Sequence, residues 1–353
     1  MQENFTKAVA TWFQDLGRRT GAFAVLEVEQ ILGDKAVSGK WDMAVRVLPA
    51  GGSQAIRLLI EAQQRMSPLL AMGILERMPT VAAAEVPVLC TRLISDRVAE
   101  LCRARHVSYL DEAGNCRIAA PGLFVQLAGN KPVRAAKQSE VDAFATKSSR
   151  IVRVLLSWPK RGWQVRELAN EARVSLGLAA KVKRALSDNA FTEQRDRRTY
   201  LRDPKGLLEA WASRYRPAGA RVALYTMRKT DEAERMVANL CAGKGLEYAL
   251  TDLSGAWRLA PTVRYHSSTI RVELKDDAAI DDLIEELGAK RVDSGANLVF
   301  QLESESFSFY QSREVDGLRV ASPLQLYLDL HAQPGRSEDA AKEILEREVL
   351  PSW

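Results

Sequence analysis

The chain has 353 residues, 46% of them apolar and 27% charged, with a formal net charge of +5. That length is more than one hydrophobic core normally supports and predicts two or three domains of roughly 100 to 150 residues each. No window approaches the roughly 18 uninterrupted apolar residues of a membrane-spanning helix. The opening stretch MQENFTKAVATWFQDLGRR has the periodicity of an amphipathic helix and lacks the basic-then-apolar order of a secretory signal, so a cytoplasmic protein is expected.

Cys90, Cys102, Cys116 and Cys241 fall at wide, irregular spacings without a C-x-x-C pair, and only His106, His266 and His331 could join them. Reduced thiols rather than a zinc site follow, and the sequence implies no cofactor and no metal. The charge is unevenly spread. Residues 150–221 carry 17 Lys and Arg against 7 Asp and Glu, residues 222–353 carry 15 against 23, and the first 149 residues 18 against 15. A strongly basic middle between a near-neutral front and an acidic end predicts a polyanion-binding module flanked by parts with other work.

In chain order, Lys40–Leu48 alternates Trp41, Met43, Val45 and Val47 against Asp42, Ala44 and Arg46, the period of two that marks a strand. Gly51-Gly52-Ser53 makes a turn, and Ala55–Ala62 returns as a second strand. Ser67-Pro68 supplies an N-cap and a proline at the first helical position for a helix through Arg77. A third strand, Val86–Thr91, leads to a helix from Ser95 to Arg105. A short strand, Val107–Leu110, then ends in the turn Asp111–Asn115. This alternation indicates an α/β layer. Residues 129–149 read as a polar linker. After residue 219, strands are predicted at Val222–Thr226, Thr269–Leu274 and Leu298–Leu302, and helices at Asp231–Ala242 and Asp277–Leu287. A helical tail runs from Ser322 to Glu348, interrupted at Gln333-Pro334-Gly335.

The basic middle opens on Arg150–Trp158, an apolar-periodic helix stopped by Pro159. Val165–Ala172 forms a second helix, Arg173-Val174-Ser175 the break, and Ser175 the N-cap of a third helix to about Asn189. Leu178, Val182, Ala185 and Leu186 fall on one face of that helix. This is the order of a helix-turn-helix, although the break has Arg173 where many such turns have glycine. Phe191–Gln194 and Thr199–Leu201 follow as two strands joined by Arg195-Asp196-Arg197-Arg198, the wing of a winged helix with a basic tip. The third helix shows Ser175, Gly177, Lys181 and Arg184 opposite its apolar stripe, with Lys183 at the margin. Small N-terminal residues allow close approach in a major groove, and Lys or Arg reach guanine edges or phosphates. Arg195, Arg197 and Arg198 would hold phosphates or the minor groove, setting register rather than reading sequence.

With LANEARVSLGLAAKVKRAL (Leu168–Leu186) and VASPLQLYLDLHAQPGRSEDAAKEILE (Val320–Glu346), the chain resembles the AbiEi family of bacterial regulators, the antitoxins of type IV toxin–antitoxin systems. The resemblance covers about Arg150–Trp353. It implies a protein that represses its own promoter through the winged helix, while the acidic C-terminal domain counters a nucleotidyltransferase-like toxin. Many members lack a long N-terminal domain like this one.

The N-terminal domain resembles the restriction-endonuclease-like fold and its PD-(D/E)xK pattern. Asp42 is on the first predicted strand and Glu61-Ala62-Gln63 ends the second, with Glu61 and Gln63 on one strand face, as a metal-dependent nuclease requires of a carboxylate and its partner. Gln63 stands where the lysine is expected and no proline precedes Asp42, so a degenerate domain used for DNA contact or dimerisation is predicted rather than an enzyme.

The fold class is therefore α/β and α+β multidomain. A restriction-endonuclease-like domain is expected at 1–146, a winged helix-turn-helix at 147–218 and an α+β AbiEi-like domain at 219–353. The expected partners are double-stranded DNA with a palindromic operator, read by a homodimer, and a nucleotidyltransferase-like toxin or the transcription machinery. Two alternatives are a metal-dependent DNA nuclease using Asp42 and Glu61, and a DNA-anchored protein-interaction hub. Asp111–Asn115 has the residues of a tight turn. Tyr327 and Asp329 of YLDL either recognise a partner or belong to a core helix, as Leu324, Leu328 and Leu330 around them suggest.

Overall fold

The computed structural model describes residues 2–31, 41–78, 85–131, 141–273, 277–333, 335 and 337–353. Lys40, Leu274, Pro334 and the stretch 132–140 of the expected linker lie outside the described residues. Two compact units result, residues 1–140 with 187–190 and residues 141–186 with 191–353.

In the first unit, α1 (Gln2–Thr20) precedes three strands, β1 (Phe23–Gln30), β2 (Met43–Pro49) and β3 (Ile56–Gln63). Then come α2 (Pro68–Arg77), β4 (Glu85–Thr91), α3 (Asp96–Ala104), β5 (Ser108–Asp111), β6 (Cys116–Ala120) and β7 (Leu123–Leu127). The strands form one seven-stranded sheet in sequence order. β1, β2 and β3 are antiparallel, β3, β4 and β5 parallel, and β5, β6 and β7 antiparallel again. The two parallel steps are those with a helix between the strands, the connection that parallel pairing requires.

Alternation along the strands divides the side chains between two helical layers. Leu58, Ile60 and Ala62 of β3 and Val88 and Cys90 of β4 pack on Phe5, Val9, Phe13 and Leu16 of α1. On the opposite face Leu89 and Tyr109 join Ala71, Ile74, Val98 and Cys102 of α2 and α3. Ser67 and Ser95 cap α2 and α3, each hydroxyl accepting a backbone N–H three residues on. β1 escapes the sequence pattern because it is an edge strand exposed on both faces from Leu26 to Gln30, and a strand that buries neither face need not alternate.

In the second unit, α4 (Ser149–Ser157), α5 (Val165–Glu171) and α6 (Leu176–Asp188) lead into the hairpin β8 (Thr192–Arg195) and β9 (Arg198–Leu201) and then α7 (Pro204–Arg214). The remainder comprises β10 (Arg221–Tyr225), α8 (Thr230–Lys244), β11 (Tyr248–Thr251), α9 (Asp252–Leu259), β12 (Ser268–Glu273) and α10 (Asp277–Leu287). It continues with β13 (Lys290–Arg291), β14 (Leu298–Glu303), β15 (Arg313–Val315), β16 (Leu318–Val320), α11 (Pro323–His331) and α12 (Ser337–Ile344). Its seven-stranded sheet runs β13-β10-β14-β12-β11-β16-β15. The parallel pairs β12–β14 and β11–β16 sit among antiparallel ones.

Across residue 218, where the sequence suggests a boundary, one apolar cluster runs from Ala143 through Trp211 to Val349. The cause lies in α4, where Ile151, Val152, Arg153, Val154, Leu155 and Leu156 are all buried. A helix buried all round has a neighbour on every side. Here Arg153 donates to Gln325 of α11, and the indole of Trp353 donates to the Leu156 carbonyl. α11 is buried in the same way from Leu324 to Leu330.

All four cysteines are free and buried, and burial pushes their thiols up, that of Cys116 to about 11. Such thiols are inert at neutral pH. Among the described residues, no helix is long and apolar enough to cross a membrane, and no group of three His, Cys, Asp or Glu side chains could hold a metal ion.

Candidate nucleic-acid interface

The cationic module is built on local capping and one long-range pairing. Gln164 caps α5 while the Glu167 carboxylate accepts the Gln164 N–H at 3.1 Å, closing a capping box. Arg173 adopts φ +52, the left-handed conformation that glycine takes most readily, so the chain turns between α5 and α6 without one. The Ser175 hydroxyl accepts the Leu178 N–H at 3.2 Å as the N-cap of α6. Val182 and Leu186 are buried, and Leu178 packs at the margin of the same core.

In the hairpin, Arg195 pairs with Arg198, and Asp196 and Arg197 take φ of +48 and +62. Positive φ at both central residues is the two-residue turn whose twist suits a hairpin. A third strand-like segment escaped sequence reading. Trp163 donates to and accepts from the backbone of Thr199, at 2.9 and 2.8 Å, anchoring the hairpin to the loop before α5. At Gly162 beside it, a Cβ would lie 2.3 Å from the Tyr200 ring, so the hairpin closes down on bare backbone.

These interactions sort the expected site residues. Lys181, Arg184 and Arg197 are exposed and meet no carboxylate among the described residues. Ser175 and Gly177 are exposed at the start of α6, and a Cβ on Gly177 would meet nothing within 4 Å. Lys183 is half-buried and donates to Gln194 of β8 at 3.3 Å. Arg195 pairs with Glu193 at 3.0 Å and lies over the Tyr200 ring at 4.5 Å.

Arg198 is turned inward. It donates to the Gly162 carbonyl at 2.9 Å and to Glu167 at 3.2 Å. The Gln164 N–H, with Arg198 behind it, holds the Glu167 carboxyl below the usual range. Arg161, which the sequence did not single out, is exposed with its guanidinium 3.8 Å from the Trp163 ring centroid, at the hairpin's base. Ammonium and guanidinium groups displayed on a helix face and a hairpin tip can accept phosphates while the helix start offers room for a close approach.

The candidate carboxylates of the first unit, Asp42, Glu61 and Asp111, are engaged within it. Asp42 precedes β2 rather than sitting on a strand, and its carboxylate accepts the Ala62 N–H at 2.8 Å, tying the start of β2 to β3. Glu61 and Gln63 share the face of β3 away from α1, and the Gln63 amide donates to Glu61 at 2.9 Å. Asp111 is buried and accepts from the backbone and side-chain N–H of Asn115, at 2.8 and 2.9 Å, so the DEAGN segment is a turn closed by its own aspartate.

Asp329 is likewise internal. It accepts from Arg271 at 2.5 and 3.1 Å, from Thr251 at 2.5 Å and from Tyr215 at 2.8 Å, while Arg271 also pairs with Glu303. Burial alone would lower the Arg271 guanidinium, but Asp329, Tyr215 and Glu303 outweigh it and keep it charged. Tyr327 is buried too, so both polar residues of YLDL belong to a core helix rather than to a partner-facing surface.

Residues 200–350 match the family model described as transcriptional regulator, AbiEi antitoxin, type IV toxin–antitoxin system. The match takes in the end of the hairpin, α7 and the C-terminal sheet with its helices. It stops short of α4, α5 and α6, to which the sequence resemblance extends. Neither a curated protein nor a solved structure matches the chain significantly.

Proposed function

We propose that the chain is a DNA-binding transcriptional regulator of antitoxin type that represses its own promoter. In this reading residues 149–201 are a winged helix-turn-helix, with α6 in the major groove and the β8–β9 hairpin as the wing. The observation that carries it is the exposed, unpaired set Lys181, Arg184 and Arg197 on a helix-turn-helix order, joined to a segment that matches the AbiEi antitoxin family. Ser175 and Gly177 border the bases; Lys183, Arg195 and Arg198 brace the recognition helix and wing as well as adding to their charge. Two copies related by a two-fold axis read a palindromic operator. The acidic C-terminal part engages a nucleotidyltransferase-like toxin, with the transcription machinery as the other candidate partner.

The first unit supports a restriction-endonuclease-like fold through its order α1-β1-β2-β3-α2-β4, with an antiparallel meander followed by a parallel step. Its chemistry argues for a DNA-contacting or dimerising domain rather than a nuclease. Gln63 carries no positive charge, and Asp42 spends its carboxylate on a backbone N–H. The regulator reading is tested by titrating the protein against its own upstream DNA and a scrambled duplex over a salt series. Tighter binding to the upstream duplex is expected at physiological salt, and equal affinity for both refutes the reading.

A further inference from the structure

Arg153 of α4 is 7% exposed and donates to the Gln325 amide oxygen at 2.6 Å, while its other terminal nitrogen, Nη1, has no hydrogen-bond partner. Its guanidinium lies 5.1 Å from the Trp211 ring centroid, and burial lowers its pKa to about 10. A buried guanidinium whose direct acceptor is a neutral amide, with one N–H group unsatisfied, is an expensive arrangement that calls for a compensating charge.

Arg153 lines a cavity of about 230 Å³ together with Arg150, Arg214, Arg216 and Arg271, and with Glu303 and Glu305. The inner charges are already matched. Arg150 donates to Glu305 at 2.7 Å, and Arg271 is held by Asp329 and Glu303. Arg214 and Arg216 meet no carboxylate among the described residues. Arg214 lies 5.4 Å from the Phe144 ring centroid, and Arg216 donates to the Tyr215 carbonyl at 2.6 Å. Counting Asp329, five guanidinium groups stand against three carboxylates, a surplus of two positive charges.

We propose that this cavity is a binding site for a small oxyanion of charge −2, phosphate or the phosphate group of a compact monoester. Arg214 and Arg216 meet its charge at the mouth, and the Arg153 guanidinium adds its charge from the wall behind them. Arg153, Arg214 and Arg150 each lie over one face of Trp211, Phe144 and Phe307, so the lining presents charge rather than bare rings and the recognised group is the oxyanion itself. The site joins α4 and α7 to β12, β14 and α11, which makes its occupant a bridge between the helical module and the C-terminal sheet.

Calorimetric titration of the full chain with inorganic phosphate, at constant ionic strength in chloride, tests the proposal without reference to DNA. One saturable site per chain is expected, with competition by sulfate. The Arg214→Ala/Arg216→Ala variant changes only exposed side chains and should weaken phosphate binding about tenfold or more. Arg153→Met should weaken it as well. Glycerol phosphate separates the two sources: tighter binding than phosphate assigns the site to a monoester, weaker binding to the free anion. No heat beyond the chloride control from folded protein overturns the proposal, and so does phosphate binding that the double variant leaves unchanged.

Discussion

Replacing Lys181, Arg184 and Arg197 together by alanine tests the cationic face where it is least entangled with folding. All three side chains are exposed and meet no carboxylate among the described residues, so the unfolding free energy should change by no more than about 0.5 kcal/mol per substitution. Each phosphate left without its cation lowers the slope of log affinity against log salt by about 0.9, so the slope of the triple variant should fall by up to about 2.7. Between roughly 50 and 200 mM salt, that difference corresponds to about a fortyfold change in how far affinity falls. Fluorescence anisotropy with the upstream duplex reads the slope, and urea unfolding checks the fold. Arg198→Met is the contrasting control. It removes the hydrogen bonds to the Gly162 carbonyl and Glu167, should cost about 1 kcal/mol of stability, and should lower the slope by no more than about 0.9. A folded triple variant with the parental slope would refute the assignment of this face to DNA.

Other perturbations probe the supports of the same module and the two cores. Arg173→Gly should stabilise by about 0.5–1 kcal/mol in urea, since the φ of +52 costs an L-residue roughly 1–2 kcal/mol and glycine's unfolded-state entropy returns only part of it; destabilisation would show that the arginine side chain holds the turn. Gly162→Ala should destabilise by about 1–3 kcal/mol through collision with Tyr200, whereas Gly177→Ala should stabilise by up to about 1 kcal/mol. Equal unfolding midpoints for the two variants would contradict the packing of hairpin on loop.

Arg271→Met strips the cation from Asp329 and Glu303 and should cost about 3–5 kcal/mol at neutral pH. Burial already raises the Glu303 carboxyl beside Arg271, and removing the cation raises it further. A carboxyl whose folded pKa lies above its unfolded value contributes stability below that unfolded value, and loses it as pH rises through the folded one. Thermal melts of the variant should therefore recover toward about pH 4 to 5, near the unfolded carboxyl values, and worsen toward neutrality; a deficit independent of pH would count against the ion cluster. With Mg²⁺ or Mn²⁺ and plasmid DNA, the protein should leave the DNA intact, and cleavage that Glu61→Ala abolishes would overturn the non-catalytic reading of the first unit.

Local chemistry carried much of this protein in the sequence. The serines before α2, α3 and α6 cap the next turn, Asp111–Asn115 closes on itself, and the apolar stripe of α6 faces the core with Lys181 and Arg184 opposite it. Each of these depends on residues within a few positions of one another, whose spacing on a helix or turn the backbone dictates. Tertiary structure decided what distant partners decide. Arg198 and Arg197 are neighbours of one residue type, yet one is spent on Gly162 and Glu167 while the other faces solvent. Asp329 is a lone carboxylate in a leucine-rich stretch until Arg271, Thr251 and Tyr215 come together around it, and α4 is the seam of a shared core. Periodicity shows that a face is apolar or charged; only the folded chain shows which charge finds a partner across the sequence and which is left to meet a ligand.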